Sequence, residues 1–196
     1  MSARAILAGG RRLGRDVAGT VAVEFAVLLP VLLTLFFGCY EASNLLLADL
    51  KVNDATQTAA DLVAQTQTSY VLQTTDFTNF TTAAQQVMAP LPVTTQLKVA
   101  YASITYNTGK AVIDWHYEVN GATPIAIGSI PANLGINSSS DSVIVVTAQY
   151  AYTSPISYVL KHAYTLANTS YDRPRYVACI PEYKNNTNSS GQVVCP

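Results

Sequence analysis

Hydrophobic positions in the first third of the chain form a solid block and then a stripe. Residues 17–40 are apolar almost without interruption, and a single acidic residue, Glu24, sits near the start of the block, five positions after Gly19. The 21 residues from Thr20 to Tyr40, as a helix rising about 1.5 Å per residue, reach roughly 30 Å, the thickness of a bilayer's hydrocarbon core. Beyond Glu41 the pattern thins. Leu45, Ala48, Val52, Ala55, Ala59 and Leu62 recur at three- and four-residue steps, with Asp49, Asn53, Asp54, Gln57 and Asp61 between them, which is an amphipathic helix. Together the block and the stripe predict one helix over about residues 20–66, about 70 Å long.

The pattern then changes period. A Thr- and Gln-rich linker, 66–75, leads to Asp76, whose side chain suits the N-cap of a short helix bearing Phe77, Phe80, Ala84 and Val87, stopped by Pro90 and Pro92. Two runs of strand character follow, 96–106 and 110–119, joined by Asn107-Thr108-Gly109, a hairpin signal. In the second run Ile113, Trp115, Tyr117 and Val119 alternate with Asp114, His116 and Glu118, which predicts one buried and one wet face. A loop-like stretch, 123–141, precedes a third strand at 142–152. After Pro155 comes an apolar turn of helix, 156–160, and a fourth candidate strand, 163–170. The expected fold class is α+β: a long N-terminal helix packed through its second half on a small antiparallel sheet. The expected organisation is a basic leader at 1–19, the extended helix at 20–66 and an α+β domain at 67–196.

Charge orients this arrangement. Arg4, Arg11, Arg12 and Arg15 are four of the eleven basic residues, and such a cluster before an apolar span stays on the cytoplasmic side. The remainder, about 155 residues, is long enough for one domain with its own core. From Glu41 onward seven Lys or Arg face ten Asp or Glu, a net of −3, which argues against nucleic acid as a partner. A cleaved secretory signal would have an apolar core of about 7–15 residues and a small-residue cleavage site after it. A lipoprotein site at Gly38-Cys39 would be preceded by Phe36 and Phe37, where an aliphatic and then a small residue belong. An ordinary single-pass anchor accounts for length and orientation but leaves Glu24 unexplained, since a carboxylate at the centre of a bilayer costs roughly 3 kcal/mol on insertion scales.

The segment Gly19-Thr20-Val21-Ala22-Val23-Glu24-Phe25 resembles the processing site of type IV prepilins: a basic leader, a glycine, four small or apolar residues, then Glu and an aromatic. More narrowly, residues 21–26 running on through Leu28-Leu29-Pro30 resemble the start of the TadE-like family, pseudopilin-related proteins of tight-adherence (Flp) pilus systems. Tyr152-Thr153-Ser154-Pro155-Ile156 and Arg173-Pro174-Arg175-Tyr176 are similar to the TadE and TadG group, and the apparent absence of a long von Willebrand-type insertion favours the smaller type. The resemblance implies residence in the bacterial inner membrane, with a cytoplasmic N-terminus and a periplasmic domain. It also implies cleavage by a prepilin peptidase between Gly19 and Thr20, and partnership with other pilin-like subunits.

The residue types suit that chemistry. Gly19 sets no side chain beside the scissile carbonyl. Cleavage would create an α-ammonium at Thr20, mostly charged at neutral pH, and Glu24 one turn on could pair with it or with that of a neighbouring subunit; the alternative is a carboxylate that snorkels to the headgroups. Ala18, Ala22 and Ala26 give one face on which another helix could approach closely, and Pro30 removes a helical hydrogen bond and bends the helix. Cys39, at the end of the span, is expected as a buried free thiol.

Cys179 and Cys195 are the only cysteines outside the span. In an oxidising compartment they are expected to pair, closing a loop of about 17 residues for roughly 3 kcal/mol; a metal pair would need further ligands that are not nearby. Two histidines, His116 and His162, with no zinc spacing, no phosphate loop and no G-x-S-x-G, point away from an enzyme and from any cofactor. His116 reads as an exposed strand residue, and the Tyr-rich strands as core packing. The expected function is that of a minor pilin-like component of tight-adherence pilus assembly. The alternative is a single-pass, membrane-anchored adhesion or ligand-binding module unrelated to pili.

Overall fold

The structure, a computed structural model, describes residues 17–67, 71–107, 110–131, 134 and 141–180. Helix α1 runs Val17–Ala64, α2 Thr74–Val87, and four strands follow: β1 Leu97–Asn107, β2 Lys110–Val119, β3 Val143–Tyr152 and β4 Tyr164–Asp172, with a 3-10 turn at Ile127–Ser129. The chain forms two compact units, one from α1 up to Asn44 with Ser154–His162, the other from Leu45–Thr153 with the chain from Ala163 on.

The second unit is α+β. Its sheet has the order β2-β1-β3-β4 with every neighbouring pair antiparallel. The amphipathic stripe is the reason α1 packs there: Ala48, Val52, Ala55, Ala59, Ala60 and Val63 are buried, and the four alanines let the helix backbone come close to an aromatic sheet face. Ile144, Val146, Ala148, Tyr150 and Tyr152 of β3 meet Leu97, Val99 and Tyr101 of β1 in the same cluster. Phe77 of α2 is the hub, with its ring stacked on Tyr117 at 4.7 Å between centroids and tilted against Tyr101 at 5.3 Å and Trp115 at 5.5 Å. Aromatic pairs at these separations add to the area they bury. Polar ends of the aromatics find partners: Tyr101 Oη lies 2.9 Å from Thr81 Oγ1, and Trp115 Nε1 donates to the Ile180 carbonyl at 2.6 Å.

The opposite sheet face is covered as well. Ala100, Ala102 and Ile104 of β1 and Val143 and Val145 of β3 pack with Ala122, Ile125, Ile130 and Leu134 from the segment after β2. Tyr106 Oη donates to the Pro131 carbonyl at 2.6 Å and pins that segment down. The described part of the stretch read as loop-like therefore covers the sheet through Ile125, Ile130 and Leu134. Tyr101, Tyr106, Tyr150 and Tyr152 are buried, as expected of core packing, whereas Tyr158, read with them, is exposed and lies outside the strands.

Several local expectations are corrected. Asp76 is the third helical residue of α2 rather than its N-cap: Gln73 holds the cap position, and its N–H donates to Asp76 Oδ2 at 2.7 Å. The helix thus begins earlier, because a carboxylate at the third position reaches back to the cap N–H as well as a cap side chain reaches forward. Strict alternation in β2 fails at one point. Ser103 pairs with Trp115 but Ile104 pairs with Ile113, so Asp114 is an extra residue in a β-bulge. Ile113 consequently joins the face opposite Trp115. Strand β4 extends to Asp172. Residues 156–160 form no helix. Thr108 and Gly109 of the expected hairpin turn lie outside the described residues.

Candidate functional site

The first unit contains the apolar block. Among the described residues α1 is the one helix long and apolar enough to cross a membrane, and none of its most apolar window is buried by the rest of the chain. Val21, Phe25, Leu28, Val31, Leu32 and Leu35 are all exposed. A helix apolar all round and unburied over its most apolar window has the composition of a membrane span. It passes through Pro30 without a break in assignment. The ring leaves the Ala26 carbonyl without its helical donor, while Thr34 Oγ1 donates to the Pro30 carbonyl at 2.8 Å.

At its start, Gly19 is helical and a Cβ placed there would meet nothing within 4 Å. Among the described residues no packing contact asks for a glycine here, although glycine in a helix costs about 1 kcal/mol relative to alanine. Thr20 and Glu24 stand one turn apart, the spacing at which helical side chains are neighbours. Glu24 and Phe25 are exposed, as are Ala22 and Ala26; the side chain of Ala18 and the four leader arginines lie outside the described residues. Cys39 is free and exposed on the helix surface, not buried as expected, because the helix there has no protein against that side. Cys179 is buried; Cys195, its expected partner, lies outside the described residues.

The tightest polar cluster of this unit was missed by sequence reasoning. Glu41, the first residue after the apolar block, is fully buried. Its Oε1 accepts the Tyr158 N–H at 2.6 Å, and its Oε2 accepts those of Val159 at 2.9 Å and Leu160 at 2.6 Å. Three consecutive N–H groups converge on one carboxylate because the backbone turns at Ser157, whose φ is 54°, an uncommon left-handed conformation for a residue other than glycine. Ser157 Oγ donates to the Ser154 carbonyl at 2.7 Å and holds the turn. A carboxylate thereby does what an anion does in a backbone nest. Tyr158 packs on Phe37 with centroids 5.6 Å apart, and a Val159 methyl lies 3.7 Å from where a Gly38 Cβ would be. The legible sign was a second acid at the far boundary of the block, together with a segment that a helix reading left without a partner.

Residues 19–61 match the family model of the TadE-like protein, in line with membership of that family. The TadE-like match begins at Gly19, includes Glu24 and Glu41, lies wholly within α1 and covers none of the sheet. No curated protein and no solved structure matches the chain significantly. A TadE-like segment points to tight-adherence pilus assembly and to a setting among other pilin-like subunits.

On the sheet, His116 is exposed and its Nδ1 lies 2.7 Å from Glu118 Oε1, a surface pair on the edge strand. Asp114 of the bulge accepts the Thr105 hydroxyl at 2.9 Å and the Ser103 hydroxyl at 3.4 Å. Burial raises its pKa above the ordinary value, against the effect of those two hydroxyls.

Proposed function

We propose that this protein is a minor pilin-like subunit of a tight-adherence pilus assembly machine. It is anchored in the bacterial inner membrane by the first half of α1, with a cytoplasmic N-terminus and its sheet in the periplasm. It works by helix-to-helix packing rather than by catalysis, through the face of Ala18, Ala22 and Ala26. A prepilin peptidase cleaves between Gly19 and Thr20, and Glu24 then neutralises the new ammonium of its own or a neighbouring chain. In the oxidising compartment Cys179 and Cys195 bond to each other.

The observation that carries this reading is the coincidence of Gly19 with the first residue of the TadE-like match. Among the described residues nothing lies within 4 Å of a Cβ placed on this helical glycine, and a protease approaching the backbone would make use of the missing side chain. The test is the mass of the mature chain isolated from cells with and without an active prepilin peptidase. A chain beginning at Thr20 only in the first supports the reading. Retention of residues 1–19 in both overturns it in favour of an ordinary anchored adhesion or binding module.

A further inference from the structure

Residues 154–162 join β3 to β4 and carry Ile156, Tyr158 and Val159, all exposed, at 44%, 51% and 48%. Three large apolar side chains within four positions of a connection leave apolar area in water that burial would remove. Their place in the fold says what covers them. Glu41 holds this segment at the C-terminal boundary of the apolar block through three backbone bonds, and Tyr158 and Val159 lie against Phe37 and Gly38. Leu35, Phe36 and Tyr40 of the same helix turns are exposed as well, so the loop adds apolar surface beside Phe37 and Gly38 at the level where the apolar block ends. Lys161 and His162, also exposed, follow directly.

We propose that residues 154–162 are an interfacial membrane anchor. Ile156, Tyr158 and Val159 enter the boundary between headgroups and acyl chains in the leaflet around Tyr40, and Lys161 meets lipid phosphates. This rests on the reading of α1 as a span. The bilayer is the occupant because the loop adds apolar surface at the level where the apolar block ends, because tyrosine suits a site apolar at one end and wet at the other, and because a cation adjoins it where phosphates lie. The arrangement is reciprocal. A bare carboxylate at this depth would be costly, and the loop covers Glu41 and supplies three N–H donors, while Glu41 keeps the loop on the helix.

The experiment uses the full chain with Cys39→Ser, in nanodiscs of phosphatidylethanolamine and phosphatidylglycerol. A nitroxide is placed through Ile156→Cys and, separately, Val159→Cys, with unlabelled-site background taken from the Cys39→Ser parent. Labels through Leu33→Cys and Val112→Cys mark the span and the exposed sheet. Power saturation compares access of oxygen, which partitions into lipid, with that of a nickel chelate, which stays in water. The expected result is an oxygen-to-nickel ratio at 156 and 159 several-fold above that at 112 and below that at 33, falling to the level of 112 when Glu41→Ala is added. Ratios at 156 and 159 equal to that at 112, with 33 deep, overturn the inference and leave the span intact. A label at 33 that behaves like 112 removes the span reading and the inference with it. Shielding of 156 and 159 from both reagents that grows with protein concentration overturns the inference in favour of a protein partner.

Discussion

Glu41 and Tyr158 stand 117 positions apart in sequence, yet Glu41 Oε1 accepts the Tyr158 N–H at 2.6 Å. One carboxylate thus fixes the end of a connection that no regular element stabilises, by accepting from three N–H groups in a row.

Removing that carboxylate should free the segment without unfolding the sheet. Glu41→Ala is expected to abolish protection of the Tyr158, Val159 and Leu160 amides in hydrogen exchange of the full chain in detergent, while amides of β1 and β3 stay protected. Glu41→Gln keeps one acceptor oxygen and should give intermediate protection. Equal protection in all three chains would show that packing of Tyr158 on Phe37, not the carboxylate, holds the loop.

Asp114 gives the sheet a pH dependence of defined sign. Burial raises its folded-state pKa, so the folded chain binds this proton more tightly than the unfolded chain. Asp114 therefore destabilises the fold progressively as pH rises from its unfolded value, about 3.9, through the raised folded value. Asp114→Asn should flatten that part of the stability profile and leave stability at pH 7 equal or higher. Chemical denaturation across pH 4–7, compared for wild type and variant, checks it; a variant with an unchanged slope would acquit Asp114.

Much of the architecture was legible because burial follows period. The stripe through Ala48, Val52, Ala55 and Ala59 marked the packed half of α1, and the strand expected at 142–152 is β3. What escaped depended on single insertions and on contacts distant in sequence. Asp114 shifts the register by one residue, which moves Ile113 to the other face, and no two-residue period reveals where a bulge falls. Residues 156–160 look helical by apolarity, yet the left-handed Ser157 turns the N–H groups of Tyr158, Val159 and Leu160 towards Glu41. Of the candidate site, Gly19 and Glu24 were legible as a local motif. Glu41 showed only as a second acid at the end of the block, because its partners lie more than a hundred residues away.

Phe77 and Trp115 should dominate the stability of the second unit. Phe77→Ala empties the hub of four ring contacts and is expected to cost about 3–5 kcal/mol. Trp115→Phe keeps most of the packing but leaves the buried Ile180 carbonyl without its donor, at about 1–3 kcal/mol. Denaturant unfolding followed by circular dichroism should rank Phe77→Ala as the worse of the two. The reverse order would mean that the Ile180 segment, not the ring cluster, limits stability.

Glu24 separates processing from assembly. If Glu24 pairs with the ammonium created at Thr20, Glu24→Ala should still insert and be cleaved, because the peptidase acts at Gly19, but should associate less with pilin-like subunits. Loss of one member of a partly desolvated pair leaves the other uncompensated, at about 3–5 kcal/mol where burial is complete and less near the headgroups. Gly19→Leu should do the opposite. Open space around Gly19 means that leucine fits the helix, so the chain should fold and insert, yet it should resist cleavage and retain nineteen extra residues. Mature mass and co-purification with pilin-like subunits, measured for wild type and both variants, tell the roles apart. Glu24→Ala that co-purifies as well as wild type would reduce Glu24 to a carboxylate reaching for the headgroups.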